Sequence, residues 1–192
     1  FDVYPPDGTN ADILKITGGT SRAKIQGNNF INNNTLANSQ VDIFTGGHKV
    51  RITDNHFINV NLHRKQVIGS GTVVNKIYSH DLIQGNTFEL EDNNLARIAI
   101  TAIGSFFTIT DNQIVLKHTT AASIGIHMGG SDALFDTTAI GAALTDESSA
   151  AILSSNIIDM RGTFATSYAF KHEAGTLGSG YYLIISENIV VG

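Results

Sequence analysis

A chain of 192 residues is long enough for one domain with a sizeable core, and 42% hydrophobic against 15% charged residues excludes a disordered chain. The net charge is −5 and no Lys/Arg cluster exceeds Arg64-Lys65, which argues against a dedicated nucleic-acid binder. With no Cys there is neither a disulfide nor a thiolate metal site, and no apolar run approaches the roughly 20 residues of a membrane span.

Nineteen Gly against two Pro, with abundant Asn, Ile and Val, predict many short strands joined by tight turns. The first predicted strand carries Leu14 and Ile16, turns at Gly18-Gly19 and leads into Ile25-Gln-Gly-Asn28-Asn-Phe30. The chain then repeats itself: Val41 and Ile43, Gly46-Gly47, and Ile52-Thr-Asp-Asn55-His-Phe57. The third copy is Ile83-Gln-Gly-Asn86-Thr-Phe88, with Thr72 and Val74 at the same offsets of fourteen and twelve residues before its Asn. That offset leaves 61–71 as a surface insertion. Ile98 and Ile100 precede Ile109-Thr-Asp-Asn112-Gln-Ile114. Ile124 and Ile126 precede Leu153-Ser-Ser-Asn156-Ile-Ile158 across a second insertion, 127–150. Within it, 132–147 comes closest to a helical pattern, but Gly141 and paired Thr weaken it. The last copy runs from Tyr168 and Phe170 to Ile185-Ser-Glu-Asn188-Ile-Val190.

The Asn spacings of 27, 31, 26, 44 and 32 residues describe a solenoid with a unit of about 26 residues and variable insertions. The predicted fold is all-β, a right-handed single-stranded parallel β-helix of about six coils with three short strands per coil, in one domain spanning 1–192. Ile25, Ile52, Ile83, Ile109, Leu153 and Ile185 should stack inside, as should Phe30, Phe57, Phe88, Ile114, Ile158 and Val190. Ile16, Ile43, Val74, Ile100, Ile126 and Phe170 form a third inward column. The recurring Asn marks the bend between second and third strands, where it tolerates a left-handed backbone and can build an amide ladder between coils.

The six I-x-[GDSE]-N-x-[FI]-like copies resemble the pectate-lyase-like right-handed β-helix superfamily over nearly the whole chain. Among its members the polar Asn/Thr/Ser/Gly surface and the start at Phe1 are most similar to a fragment of a bacteriophage tailspike or capsular-polysaccharide depolymerase. That resemblance implies a virion-tail or extracellular protein, a homotrimer, and recognition of bacterial surface polysaccharide. It leaves open whether the parent chain cleaves the glycan, as a hydrolase or a lyase, or whether the segment is a non-catalytic shaft of a tail fibre or adhesin. Gly46-Gly47-His48 and Thr53-Asp54-Asn55 only brush against polygalacturonase motifs, and the Asp-Asp pair of those enzymes is absent.

Hydrolysis of a glycosidic bond normally takes two carboxylates about 5 Å apart, or about 6.5–9.5 Å apart with inversion. The outward rows of the first strand read Lys15, Asp42, Val73, Ala99, Gly125, Ala169 and Thr17, Phe44, Asn75, Thr101, His127, Lys171. Asp42 is the sole carboxylate there, and three coils separate it from His127. Asp54 and Asp111 share a register two coils apart, in a slot that Gly27, Gly85, Ser155 and Glu187 fill elsewhere, so a turn role explains them. Glu89, Glu91 and Asp92 form an acidic knot, and Asp132, Phe135 and Asp136 lie in the long insertion where binding residues collect. Catalytic candidates are therefore Asp42, Asp54, Asp111, Glu89 and Glu91. Ligand-binding candidates are Phe44, His127, Asp132, Phe135 and Asp136. Seven scattered His lack metal-site spacing, so neither a metal nor a cofactor is expected, and neither nucleic acid nor membrane insertion. The outward third-strand row Ile31, Ile58, Glu89, Val115, Asp159, Val191 is largely aliphatic and predicts contact with sister chains.

Overall fold

The computed structural model describes residues 11–18, 22–33, 39–45, 49–66, 80–91, 97–103, 107–129, 149–173 and 181–192. Among them the chain forms strands and no helix, in six successive three-strand repeats. These are β1 (Ala11–Gly18), β2 (Lys24–Gln26) and β3 (Asn29–Ile31); β4 (Ser39–Thr45), β5 (Arg51–Thr53) and β6 (His56–Ile58); and β7 (Val60–Gln66), β8 (Asp81–Gln84) and β9 (Thr87–Leu90). They continue with β10 (Ile98–Ile103), β11 (Phe107–Thr110) and β12 (Gln113–Leu116); β13 (Ile124–Gly129), β14 (Ser149–Ser154) and β15 (Ile157–Asp159); and β16 (Tyr168–Glu173), β17 (Tyr181–Ser186) and β18 (Ile189–Val191). Every strand pairs in parallel with the strand three places along, which builds three six-stranded sheets. We call them sheets 1, 2 and 3, after β1, β2 and β3.

Alternation along each short strand turns one set of side chains inward, and the inward sets of all three sheets form one apolar cluster. Ile25, Ile52, Ile83, Ile109 and Leu153 are buried in sheet 2, and Phe30, Phe57, Phe88, Ile114 and Ile158 in sheet 3. The Phe rings stack between repeats, Phe30 on Phe57 at 5.1 Å and Phe57 on Phe88 at 4.6 Å between centroids. Ile185 continues its column in register with Leu153 but is 50% exposed, contrary to the sequence expectation, and Val190 is equally open. Both stand in the sixth repeat, which is covered from one side only among the described residues.

Two corrections concern the third repeat and the insertions. Residues 60–66 do not leave the shaft: they are β7, and they occupy the place expected for Thr72 and Val74. Leu62 pairs between Val41 and Ile100, and Arg64 between Ile43 and Ala102. From the third repeat onward the rows of sheet 1 therefore slip by two residues relative to the equal-offset reading. Residues 127–129 and 149–150, expected at the ends of the long insertion, likewise belong to β13 and β14. Thr72–Asn75 and the remainder of both insertions lie outside the described residues.

The corner between sheets 2 and 3 is built by two consecutive residues with separate tasks. Gly27, Asp54, Gly85, Asp111, Ser155 and Glu187 all take positive φ, between 55° and 68°. The left-handed residue is thus the one before the Asn, not the Asn itself. The Asn side chains form a continuous ladder. Nδ2 of Asn28, Asn55, Asn86, Asn112 and Asn156 donates to Oδ1 of the next Asn at 2.9–3.1 Å. The same Oδ1 accepts the backbone N–H of the preceding Asn. From Asn55 on, each amide also caps the carbonyl of the aliphatic residue one repeat back, as in Asn86 Nδ2 to Ile52 O at 2.9 Å. The backbone groups that a sharp bend would strand in the interior are thereby satisfied.

Candidate functional site

Pairing of sheet 1 places Lys15, Asp42, His63, Thr101, His127 and Lys171 in one row, each beside the next. The sequence reading put Lys15 and Asp42 in one row, Thr101, His127 and Lys171 in another and His63 in neither, because it gave the third repeat the wrong strand. His63 takes the position expected for Val73. Phe44 belongs to a neighbouring row, between Thr17 and Lys65. The backbones of Asp42 and Phe44 are placed in β4, while their side chains lie outside what is described.

Consecutive rungs are about 4.8 Å apart, so Asp42 and His63 are direct neighbours and His63 and His127 stand about 9.6 Å apart. Leu62, Ile100 and Ile126 belong to the apolar core and His63, Thr101 and His127 follow them directly in sequence, so the row lies on the face turned from the core. Even so, His63 is 1%, Thr101 2% and His127 4% exposed. His127, expected on an open surface, is a buried residue. Asn61 donates from Nδ2 to Thr101 Oγ1 at 3.4 Å, and its Oδ1 is buried without a hydrogen-bond partner among the described residues. The arrangement concentrates imidazole, hydroxyl, amide and ammonium groups along one straight line, with one carboxylate residue at Asp42.

The other candidate carboxylates are engaged elsewhere. Asp54 Oδ2 accepts from Gln26 Nε2 and Asp111 Oδ2 from Gln84 Nε2, both at 2.9 Å, and both Asp residues occupy the left-handed corner slot. The turn role expected for that slot holds. Glu89 faces outward from sheet 3, with Oε1 3.1 Å from His56 Nε2 and Oε2 3.4 Å from Lys117 Nζ. Burial pushes its pKa up, but the hydrogen bonds from His56 and Lys117 outweigh this and hold it below the ordinary value. Glu91 is tied to Asn59, donating its N–H to Oδ1 at 2.8 Å and accepting from Nδ2 at 3.3 Å. Asp159 grips its neighbour Arg161, whose hydrogen bonds bring the Asp159 carboxyl down to about 2. Asp92, Asp132, Phe135 and Asp136 lie outside the described residues. No group of three His, Asp or Glu among the described residues is placed to hold a metal ion.

One ionic pair was missed entirely. Arg64 points inward from β7, and its Nε donates to Asp81 Oδ2 at 2.9 Å, with side chains 0% and 1% exposed. Arg64 Nη1 also reaches Ile43 O, and Asp81 Oδ1 accepts the Val50 N–H. Burial lowers the Arg64 pKa, and the Asp81 carboxylate opposes that shift. A signal was present: Asp81 stands two residues before Ile83, where the other copies carry Ala23, Val50, Phe107, Ala151 and Leu183. An acid in an apolar column calls for a partner. Comparison of the chain with protein-family models, curated proteins and solved structures returned no match.

Proposed function

We propose that this chain is a segment of a right-handed parallel β-helix of the pectate-lyase-like kind, and that it recognises bacterial surface polysaccharide as part of a bacteriophage tailspike or receptor-binding protein. The fold reading draws on the three parallel sheets, the Asn ladder and the six-fold repeat. The functional reading is carried by the row Asp42, His63, Thr101, His127, Lys171, which ends at the half-buried Lys171 and has beside it the amide oxygen of Asn61, unpaired among the described residues. Polar groups repeated at the rung spacing along a sheet suit a polyhydroxylated chain, whose rings succeed one another at spacings close to that of the rungs. Sugar hydroxyls both donate and accept, and Lys171 is the described member of the row within their reach, since His63, Thr101 and His127 are buried.

Recognition without cleavage is favoured for this segment, because Asp54, Asp111, Glu89 and Glu91 are each held by an amide or an ion pair. Association into a homotrimer on an extracellular virion tail completes the reading. It is supported by Ile152, Ile157, Ile184, Ile189 and Val191, which are 37–56% exposed on the last two repeats. Ile31, Ile58 and Val115 of the expected stripe are half-buried, and Glu89 interrupts it with an ion pair.

The test is calorimetric titration with capsular and O-antigen oligosaccharides, run beside a reducing-end assay. The expected result is binding without new reducing ends, weakened roughly tenfold in Lys171→Ala, as for loss of one charge-assisted hydrogen bond. Absence of binding across the panel, or affinity unchanged in Lys171→Ala and Asn61→Ala alike, would refute the assignment.

A further inference from the structure

We infer that Arg22, Lys24, Lys49 and Arg51 form a binding site for an anionic group, a carboxylate or a phosphate, carried on an otherwise neutral, hydroxylated chain. All four are exposed, at the first two rungs of sheet 2. Lys24 pairs directly with Arg51. Arg22 and Lys49 hold the same place two residues earlier, where the Arg51 N–H bonds to Ala23 O at 2.9 Å. Ala23 and Val50, the residues between, pack toward the core, so each pair of cations flanks an inward side chain. Rungs lie about 4.8 Å apart and alternate residues of a strand about 6.7 Å apart, which brings four positive charges onto one small rectangle of surface. In sequence the two pairs lie one repeat apart, so no basic run announces them.

Like charges directly opposite on neighbouring strands repel, and here two such pairs are adjacent. The chain has 17 acids against 12 bases, yet no described carboxylate relieves the repulsion. Asp81, Glu89 and Asp159 hold Arg64, Lys117 and Arg161, and Asp54, which follows Arg51 on its own repeat, accepts from Gln26. Among the described residues none of the four cations has an ion-pair or hydrogen-bond partner. Arg22 and Lys49 also take positive φ, 74° and 64°, a backbone that a long side chain disfavours. A bound anion offsets both penalties, because it turns the mutual repulsion of four cations into shared, charge-assisted hydrogen bonds.

The rest of sheet 2 sets the character of the ligand. Beyond Arg51 the same outward row becomes neutral, with Leu82, Thr108, Ile152 and Ile184. The row beside it carries the hydroxyls of Thr53, Thr110 and Ser154, where Ser154 Oγ donates to Thr110 Oγ1 at 3.2 Å. The corner slot that follows is acidic and exposed at Asp54, Asp111 and Glu187. A polymer charged at every unit, such as a nucleic acid, would meet cations on two rungs and carboxylates along the rest. A chain with sparse charge meets cations at its acidic group and hydroxyls along its neutral stretch. That the carrier is a glycan rests on the proposed polysaccharide recognition. The anion site itself does not, and it lies on sheet 2, apart from the sheet 1 row that ends at Lys171.

Titration calorimetry on the full chain in about 20 mM salt, where screening is weak, tests the site. The probes are a hyaluronan hexasaccharide, which alternates uronate and neutral rings, the same oligosaccharide with its carboxyls reduced to alcohols, inorganic phosphate, and oligothymidylate. Binding of the hexasaccharide or of phosphate is expected, weakened about tenfold or more in Lys24→Gln/Arg51→Gln and unchanged in Lys171→Ala. Binding of the hexasaccharide assigns the group to a carboxylate, and binding of phosphate alone to a phosphoryl group. The double variant also removes a like-charge pair, so it should melt at or above the wild-type temperature in low salt, which separates loss of binding from loss of folding. A lower melting temperature would overturn the premise of open repulsion and the inference with it. So would binding of neither anion, equal affinity in the double variant, equal affinity after carboxyl reduction, or oligothymidylate bound more tightly than both. Loss in Lys171→Ala alone would overturn it too, and would leave the sheet 1 row as the site.

Discussion

Replacing Asn86 by Leu removes the middle of the amide ladder with little change of volume. Its Oδ1 accepts both the backbone N–H and the Nδ2 of Asn55, and its Nδ2 caps Ile52 O. All of these groups are buried. The substitution orphans one backbone donor and one amide hydrogen, and it takes a second donor from the Ile52 carbonyl. At roughly 1–3 kcal/mol for each buried group left unsatisfied, the loss is about 4 kcal/mol. For a chain of this length that corresponds to a fall in Tm of about 8–16 °C. Asn28→Leu is the internal control. Asn28 is half-buried, and without its Nδ2 the Oδ1 of Asn55 still accepts the residue-28 N–H. That variant should lose about 1 kcal/mol. Urea unfolding monitored by circular dichroism measures both. Equal losses at positions 28 and 86, or a loss below about 1 kcal/mol for Asn86→Leu, would show that the ladder does not satisfy the bend in the way the geometry requires.

The corner slot gives a second pair of variants: Gly27→Ala meets open space at φ 68°, whereas at Gly85 an added Cβ would stand 2.9 Å from Asp54 Oδ1. Both should destabilise by about 1–2 kcal/mol for the left-handed backbone, Gly85→Ala the more, and Asp54→Gly should abolish the difference between them in the same unfolding assay. Ile83→Asp buries an unpaired charge in a fully enclosed column and should unfold the protein, while Ile185→Asp, half exposed, should leave far-UV circular dichroism and the melting curve nearly unchanged. The Glu89 carboxyl has a lower pKa folded than unfolded, so its contribution to stability is present above the ordinary carboxylate range and is lost as pH falls through the folded value. Glu89→Gln should therefore flatten the acid limb of a stability–pH profile from the ordinary carboxylate range downward, and an unchanged limb would contradict the His56–Glu89–Lys117 grouping.

The architecture was legible because a repeat exposes its own rules. Ile25, Ile52, Ile83, Ile109 and Leu153 share one slot six times over with Ile185, and only an inward column asks for the same aliphatic side chain at each pass. The Asn column was equally readable, since a short amide is the side chain that can bond both to its copy in the next repeat and to the backbone at a bend. The turn role of Asp54 and Asp111 followed from the Gly residues that alternate with them, although the positive φ belongs to that slot and not to the Asn. These are local regularities, and they survive in one dimension.

What only the tertiary structure decided is the content of sheet 1 in the third repeat. Offsets from Asn86 pointed to Thr72 and Val74, whereas the structure fills that place with 60–66, whose Arg64 meets Asp81 seventeen residues along the chain. That choice moves His63 beside Asp42 and aligns Thr101, His127 and Lys171 with them, so the candidate site changes although no sequence rule has been broken locally. Burial of His63, Thr101 and His127 on the face turned from the core was equally invisible, because it depends on what lies against a sheet and not on the alternation within it. A repeating sequence shows which slots stack; which segment fills a slot depends on partners brought together across the chain, as Arg64 meets Asp81 in the core.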